Sequence, residues 1–535
     1  MSVLDTRARF AQAEHFQSMG RNKEAAEAWV EALAIDPAYL PGHLALVEAL
    51  VSLGLLDAAV TAYCNASLAA PASSTDTLQR SCHLLTAALR AEGRLDLARA
   101  ILERLLTSSP RDAGTLFLLA GIKADLGAAA DAIHDLRRAL VLQPRFPEAL
   151  NTLGVLLRSN GDLAQAEACY RRAIAQRSNY APAWNNLANL HVELSRLDEA
   201  ARCYSKAVTH LPDYAEAHTN RALVWLLQGK FPEGWKEYEW RWRQPGANPR
   251  RLPRPEWDGA PLEGKTILLH AEQGAGDTIQ FIRYTRLLHR QGASIVLHCQ
   301  ESLQSLLSGM PELSCVISGR SPAPPFDVHA PLMSLPRLCG TTETSIPGEV
   351  PYLRPLPGSP VPEPLQDRNR LRVGLVWAGN PGHRNDRNRS CPLELFDGLL
   401  QTDGVQFFSL QVGHGPLLDR PIVDLAPHLT DYAATAACLA HLDLLITVDT
   451  SVAHLAGALG RPVWMLLPTC NDWRWLQQRE DTPWYPTMRL FRQCARGDWK
   501  TVLERANTQL KEELNANHDR IESVREFAAG GAGRP

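Results

Sequence analysis

A repeating pattern, with a period of 34 residues except for one interval of 39, runs through the first part of this 535-residue chain. A proline or serine follows each alanine-rich stretch, at Pro37, Pro71, Pro110, Pro144, Ser178 and Pro212. Small residues keep the same step, at Ala25, Ala59, Ala98, Ala132, Ala166 and Ala200. Large residues keep it too, at Trp29, Tyr63, Leu102, Leu136, Tyr170 and Tyr204. Such a period predicts stacked helix pairs, because each pair can bury its apolar face only against its neighbours.

The pattern resembles the tetratricopeptide repeat, in which small residues let two antiparallel helices meet and proline ends the unit. We assign residues 6–244 to a superhelix of such repeats, an α-solenoid. The groove of a solenoid usually binds an extended peptide or another protein, and a spacer or dimerisation arm is the alternative. The array therefore predicts a protein partner.

Beyond residue 260 the pattern changes to short apolar strands alternating with helices. Residues 260–355 contain KTILLHAE and ASIVLHCQ, and residues 371–495 contain LRVGLVWAG, VQFFSLQ, LDLLITVD and RPVWMLLP. The proline-rich residues 356–370 indicate a linker, and an apolar stripe in residues 496–528 indicates a closing C-terminal helix. We expect two Rossmann-like α/β halves with ligands at the carboxyl ends of parallel strands.

Charge and cysteine usage narrow the class of protein. Lys and Arg number 55 against 58 Asp and Glu, a net charge of -3, which argues against binding nucleic acid through counterion release. The 11 cysteines never form C-x-x-C, so reduced thiols are expected rather than a disulfide frame or a zinc site. The chain shows neither a signal peptide at its start nor an apolar run of about 18 residues. We therefore expect a cytoplasmic protein with no membrane span and no nucleic-acid partner.

The strongest candidate for a binding site is LLITVDTSVAHLAG, where a strand ends at Asp449 and a helix begins at Thr450 or Ser451. Backbone N–H groups and hydroxyls at a helix N-terminus bind anions, and a nucleotide diphosphate is the usual anion in this topology. His454 follows one turn later, near enough to donate to the same phosphate. The alternative is that these residues only cap the helix.

A second candidate is HAEQGAGDTIQF, at the end of a strand in the first half. Gln273, Gly274 and Gly276 form a tight loop on the acceptor side, and Asp277 stands at the start of the helix. A carboxylate that faces the cleft can take a proton from an attacking hydroxyl. Capping of the helix is again the alternative.

A third candidate is the polar run WAGNPGHRNDRNRSCPL, which follows a strand of the second half. It contains Asn380, His383, Arg387 and Arg389. Arginine forks suit phosphate oxygens, although an exposed basic loop is the alternative. Gln411 ends another strand at the same edge, where it can contact a base or ribose. The chain has no D-x-D motif, so we expect neither a metal nor another cofactor.

The segments EQGAGDTIQFIRY, VGLVWAGNPGHRNDRNRS and VDTSVAHLAGALGRPVW resemble the catalytic region of bacterial tetratricopeptide-glycosyltransferase fusion proteins. That region is similar to glycosyltransferase family 9, the heptosyltransferases, over about residues 260–495. The plan also resembles O-linked N-acetylglucosamine transferase, which implies a GT-B fold. The resemblance implies that Asp277 is the base and that Asp449, Thr450, Ser451 and His454 hold the donor diphosphate. Arg387 and Arg389 stand where heptosyltransferases carry a lysine, which leaves the donor open.

The resemblance thus implies an inverting, metal-independent glycosyltransferase. It would move a sugar from a nucleotide-sugar donor to a Ser or Thr hydroxyl of a protein recruited by the repeats, with flagellin as one candidate acceptor. Two alternatives are an inactive transferase-like scaffold that binds partner proteins and a transferase directed to a glycan or lipopolysaccharide.

Overall fold

The first part of the chain is built from helix pairs. The computed structural model describes residues 3–70, 75–383, 385–413, 415, 417 and 420–530. Within these residues, seven helix pairs precede the first strand. They are α1 Val3–Ser18, α2 Asn22–Ile35, α3 Leu40–Ser52, α4 Leu56–Ala69, α5 Thr75–Ala91, α6 Leu95–Ser108, α7 Ala113–Asp125, α8 Ala129–Leu142, α9 Pro147–Ser159, α10 Leu163–Gln176, α11 Ala181–Glu193, α12 Leu197–His210, α13 Ala215–Leu227 and α14 Phe231–Tyr238.

The periodic residues of the sequence lie in the interfaces of these helices. All six small residues, from Ala25 to Ala200, have no exposed surface, and the large residues that follow them are at most 3% exposed. Small side chains let helix backbones approach closely, and the large residue four positions later lies on the same helix face. The predicted helical solenoid is therefore confirmed.

The turn inside each pair uses a left-handed residue at the same period. Six of these positions are glycine, at Gly20, Gly54, Gly93, Gly127, Gly161 and Gly229. In the sixth pair, Ser195 occupies this position, with φ 57°. This conformation favours glycine because it has no Cβ, so Ser195 holds a backbone that an L-residue adopts at a cost.

The C-terminal part contains two parallel sheets within the described residues. The first has the order β3-β2-β1-β4. Its strands are β1 Thr266–His270, β2 Ser294–Cys299, β3 Cys315–Ser318 and β4 Val328–Pro331. Its helices are α15 Ala275–Phe281, α16 Thr285–Arg290, α17 Glu301–Leu307 and α18 Leu335–Leu338. Every pair of neighbouring strands is parallel, so their carboxyl ends share one edge.

The second sheet has the order β10-β9-β8-β5-β6-β7. Its strands are β5 Leu371–Val376, β6 Val405–Ser409, β7 Ile422–Asp424, β8 Leu444–Val448, β9 Val463–Leu467 and β10 Met488–Arg492. Its helices are α19 Asp386–Arg389, α20 Asp397–Leu400, α21 Tyr432–Ala440, α22 Ser451–Ala458 and α23 Trp499–Gly530. The order reverses direction between β8 and β5, and such a switch point is where α/β sheets bind ligands. The predicted α/β region is confirmed.

Contacts divide the chain into two compact units. One comprises Met1–Leu190 with Lys206–Pro212, and the other comprises His191–Ser205 with Asp213–Pro535, so both sheets belong to the second unit. There, buried Arg283 donates to the Trp484 carbonyl at 2.6 Å. No helix in the described part of the chain is both long and apolar enough to cross a membrane.

Candidate functional site at the strand ends

Asp277 lies in the first turn of α15, just beyond the end of β1. Its Oδ2 accepts the Gly274 N–H at 2.9 Å, so the carboxylate closes the turn that begins the helix. Its Oδ1 accepts from the Arg474 guanidinium. The capping alternative therefore describes part of its role, while the second oxygen faces a residue from the other sheet. Each carboxylate oxygen has a further lone pair for another donor.

Arg474 lies in the short turn Trp473–Trp475 and connects the two sheets. Its Nη1 donates to Asp472 at 2.8 Å, its Nη2 to Asp277 and its Nε to Gln280. The guanidinium carbon lies 4.3 Å from the centre of the Trp473 ring. Burial raises the pKa of Asp277, the Arg474 charge opposes that rise, and the Asp472 carboxylate adds to it. Sequence reasoning missed Arg474, whose only signal was a lone arginine between two tryptophans.

Asp449 follows β8 at the neighbouring edge. Its Oδ2 accepts from Trp475 Nε1 at 3.0 Å, and its backbone carbonyl accepts from Arg389 Nη1 at 3.1 Å. Burial, with repulsion from Asp472, raises the pKa of Asp449 to about 6. Asp449 thus shares one electrostatic environment with the carboxylates around Arg474.

His454 lies one turn into α22 and faces Asp449. Its Nδ1 is 2.9 Å from the Tyr485 hydroxyl, and its Nε2 is 4.0 Å from Asp449 Oδ1. Burial lowers the pKa of His454 well below its usual range, and the charges of Arg474 and Arg283 add to this. The imidazole is therefore neutral. Its Nδ1 shares a hydrogen bond with the Tyr485 hydroxyl in which either group can be the donor, depending on the tautomer.

The N-terminus of α22, where the sequence predicts an anion site, is not capped by a side chain. The Thr450 side chain makes no capping hydrogen bond, and its hydroxyl instead lies 3.2 Å from that of Thr447. The Ser451 hydroxyl accepts from Tyr432 at 2.7 Å, which fixes its position. The first-turn N–H groups thus stand at a helix end that attracts negative charge.

Gly276 brings the starts of α15 and α22 together. A Cβ at this position would lie 3.0 Å from His454 Cδ2 and 3.4 Å from the Ser451 Cα. Only a residue without a side chain permits this approach without displacing His454. The predicted base and the predicted phosphate-binding helix consequently meet.

Of the three predicted site residues in the loop after β5, one reaches Asp449 and two do not. Arg389 pairs with Asp386 at 3.1 Å and reaches the Asp449 carbonyl. Asn380 is exposed and accepts the Gly382 N–H at 2.9 Å. Arg387 is exposed and lines a separate cavity. The structure therefore brings only Arg389, of these three, to the end of β8.

The side-chain amides of Gln411 and Gln273, two of the predicted site residues, form hydrogen bonds within the protein. Gln411 is 8% exposed, and its Oε1 accepts from the N–H groups of Trp377 and Ala378 at 3.2 and 2.9 Å. Gln273 donates through Nε2 to the Tyr238 hydroxyl at 3.0 Å. Gln411 thus anchors the end of β5, and a contact with a base or ribose stays a prediction.

In the described part of the chain, no group of three His, Cys, Asp or Glu side chains is placed to hold a metal ion.

Known proteins share both parts of the chain. Tetratricopeptide repeat families match residues 10–75, 122–182 and 181–214. Glycosyltransferase family 9 (heptosyltransferase) matches residues 415–474, which include Asp449, the start of α22 and Arg474 but not Asp277. Protein FlbA of Caulobacter vibrioides is 28% identical over 330 residues, which cover 55% of this chain and 54% of FlbA. The chain thus spans about half the length of this curated relative.

Solved structures resemble the chain over a smaller share. The crystal structure of MamA is 25% identical, with a TM-score of 0.27, and the match covers 30% of this chain and 92% of MamA. The structure of YrrB, described as a TPR protein with an unusual peptide-binding site, is 21% identical, with a TM-score of 0.29, and the match covers 36% of this chain and 97% of YrrB.

Proposed function

We propose that this chain, which joins tetratricopeptide repeats to a region matching glycosyltransferase family 9, is an inverting glycosyltransferase acting on proteins. It would transfer a sugar from a nucleotide-sugar donor to a Ser or Thr hydroxyl. The observation that supports the proposal is the close approach of α15 and α22 at Gly276, the residue before Asp277. Such a transfer needs a base that takes the proton of the acceptor hydroxyl and a site that stabilises the leaving diphosphate.

The donor diphosphate would bind at the start of α22. The N–H groups of its first turn and the hydroxyls of Thr450 and Ser451 supply donors, and the helix dipole favours the negative charge. His454 would hold its proton on Nε2 and donate it to the same phosphate. Arg389, which donates to the Asp449 carbonyl at the end of β8, would add a guanidinium to this site. In this metal-independent proposal, the helix terminus and these donors would stabilise the leaving diphosphate.

Asp277 would act as the base. It would take the proton of the acceptor hydroxyl as that oxygen attacks the anomeric carbon from the face opposite the diphosphate. The new C–O bond forms as the bond to the diphosphate breaks, and the diphosphate leaves with the bonding electrons. The raised pKa of Asp277 makes it a stronger base than an exposed aspartate, while Arg474 holds the carboxylate in position.

The repeats would recruit the protein acceptor, and the loop Gln273, Gly274 and Gly276 would border its hydroxyl. We retain residues 260–355 and 371–495 as the two halves of a proposed GT-B region, residues 6–244 as the repeat region, 356–370 as the linker and 496–528 as the closing helix. A cytoplasmic location and flagellin as an acceptor belong to the same proposal. Donor contacts by Asn380 and Gln411 remain predictions.

Transfer of a labelled sugar to protein tests this function. Asp277→Asn keeps the shape of the side chain and should lower the rate by about 10²–10⁴-fold, the usual range for a lost general base. Ser451→Ala should weaken donor binding. Asp403→Asn, at an exposed turn, is the matched control and should be silent. Full transfer by both site variants would contradict the proposal, as would transfer to free glycans alone.

A further inference from the structure

A cavity of about 130 Å³ lies at the carboxyl ends of β9 and β10. Its lining includes Thr469 after β9, Gln493 after β10, Arg387 from the loop after β5, and Arg496 and Trp499 at the start of α23. Glu193, the last residue of α11, completes the wall. Asp277 and Ser451 are not among the lining residues, and of the predicted donor contacts only Arg387 is.

Two hydrogen-bond donors of the cavity have no acceptor among the described residues. Gln493 is 6% exposed; its Oε1 accepts the Gly497 N–H at 3.1 Å, while its Nε2 has no partner. Arg387 is exposed and makes neither an ion pair nor a hydrogen bond within the described chain. A buried amide N–H without an acceptor is costly, so a ligand oxygen there would be favourable.

The balance of charges at the cavity is positive. Arg496 forms an ion pair with Glu193, so these two charges offset one another. Among the charged residues that line the cavity, Arg387 therefore remains without a carboxylate partner. A guanidinium fork beside a free amide N–H is complementary to a carboxylate together with a carbonyl oxygen.

The cavity and the proposed donor site lie at the carboxyl ends of different, neighbouring strands of the second sheet. The donor diphosphate would lie at the end of β8, and the predicted nucleoside contact, Gln411, lies after β6. In the order β10-β9-β8-β5-β6-β7, the cavity lies on the opposite side of β8 from β6. One wall comes from a repeat helix, and repeat arrays bind polypeptides.

We propose that this cavity binds an acidic side chain of the polypeptide acceptor. Arg387 pairs with its carboxylate, and the Gln493 amide donates to a carbonyl oxygen of the same segment. The proposal rests on the proposed function, since it takes the ligand to be the protein that receives the sugar. It adds a sequence preference, an Asp or Glu near the accepting hydroxyl.

Selection from a peptide library tests this preference without measuring transfer. The full-length protein is immobilised, exposed to a randomised library of Ser- and Thr-containing peptides, and the retained peptides are sequenced by mass spectrometry. Wild type should enrich Asp and Glu. Arg387→Gln should lose that enrichment, with about tenfold weaker binding of a selected acidic peptide, as expected for a lost charge-assisted hydrogen bond. Arg368→Gln, at an exposed position that does not line the cavity, removes the same charge and should retain the enrichment.

Three results would overturn the inference. These are no acidic enrichment by wild type, unchanged enrichment by Arg387→Gln, and weaker sugar-nucleotide binding by Arg387→Gln in calorimetry, which would assign Arg387 to the donor. A folded protein that enriches acidic peptides through Arg387 but transfers no sugar would support this binding site and reject the proposed function. The experiment therefore distinguishes failure of the acidic-peptide site from failure of the proposed glycosyltransferase function.

Discussion

The Arg474 guanidinium donates to the Asp277 carboxylate, joining the turn Trp473–Trp475, which follows β9 of the second sheet, to α15, which follows β1 of the first. The same guanidinium also bonds to Asp472, so one buried cation serves two carboxylates. Arg474 is 7% exposed, and water screens such a pair only weakly. The position of the proposed base thus depends on a residue from the opposite half.

Replacing Arg474 should be far more damaging than replacing a surface arginine. Arg474→Gln leaves Asp277 and Asp472 without their shared cation, and breaking a buried pair costs about 3–5 kcal/mol of unfolding free energy. Arg489→Gln is the control, because Arg489 is 41% exposed in its pair with Glu480 and should cost less than about 1 kcal/mol. Chemical denaturation measures both. Equal losses would show that the buried network contributes no special stability.

Tyr485 should act on donor binding through His454. Tyr485→Phe removes the hydroxyl that is hydrogen-bonded to Nδ1, and in the proposed arrangement this bond keeps the imidazole proton on Nε2. We expect about fivefold weaker sugar-nucleotide binding by calorimetry, the equivalent of one hydrogen bond. Tyr284→Phe removes another buried hydroxyl, which is hydrogen-bonded to Thr341 at 2.8 Å and not to His454. This variant should leave donor affinity unchanged. Equal effects of the two variants would refute the role of Tyr485.

His270 should make stability depend on pH. Burial, with help from the Arg250 charge, lowers the pKa of His270 to about 3, while an unfolded histidine titrates near 6.5. Between these values the unfolded chain binds the extra proton, so this residue's contribution to stability is lost as pH falls from about 6.5 toward 3.

Comparing variants isolates the His270 contribution. His270→Leu should flatten the difference in melting temperature between pH 7 and pH 5, and subtracting the wild-type curve removes effects of other groups such as Asp449. His289→Leu, at an exposed position, serves as control. A His270→Leu curve parallel to that of wild type would contradict the assignment.

Ser195→Gly should stabilise the sixth repeat. The residue has φ 57°, and glycine adopts this region without the steric cost of a Cβ, so a gain of about 0.5–1 kcal/mol is expected. Ser195→Ala keeps the Cβ and should give no gain. Urea denaturation of the full chain measures both midpoints, and a gain from alanine equal to that from glycine would exclude the backbone explanation.

Periodicity made the repeats predictable, because the same residue type must fill the same interface in every unit. The strand ends were predictable too, since a polar residue after an apolar strand in a parallel sheet lies at one edge. The direction in which each side chain points was not predictable from the sequence. Gln411 lies at the predicted edge, yet its amide oxygen faces the N–H groups of Trp377 and Ala378. Arg474 escaped notice because its partners Asp277 and Gln280 are nearly 200 residues away in sequence.

The strand order of the second sheet has a consequence for synthesis on the ribosome. Each repeat pairs helices adjacent in sequence, so a repeat can form soon after its residues emerge. The sheet is different, because β5 pairs with β8, some 70 residues later, and β9 must wait for β10. The early repeats can therefore fold while the sheet's strands still have unpaired edges. Stalled translation before Met488 would expose β9 to aggregation.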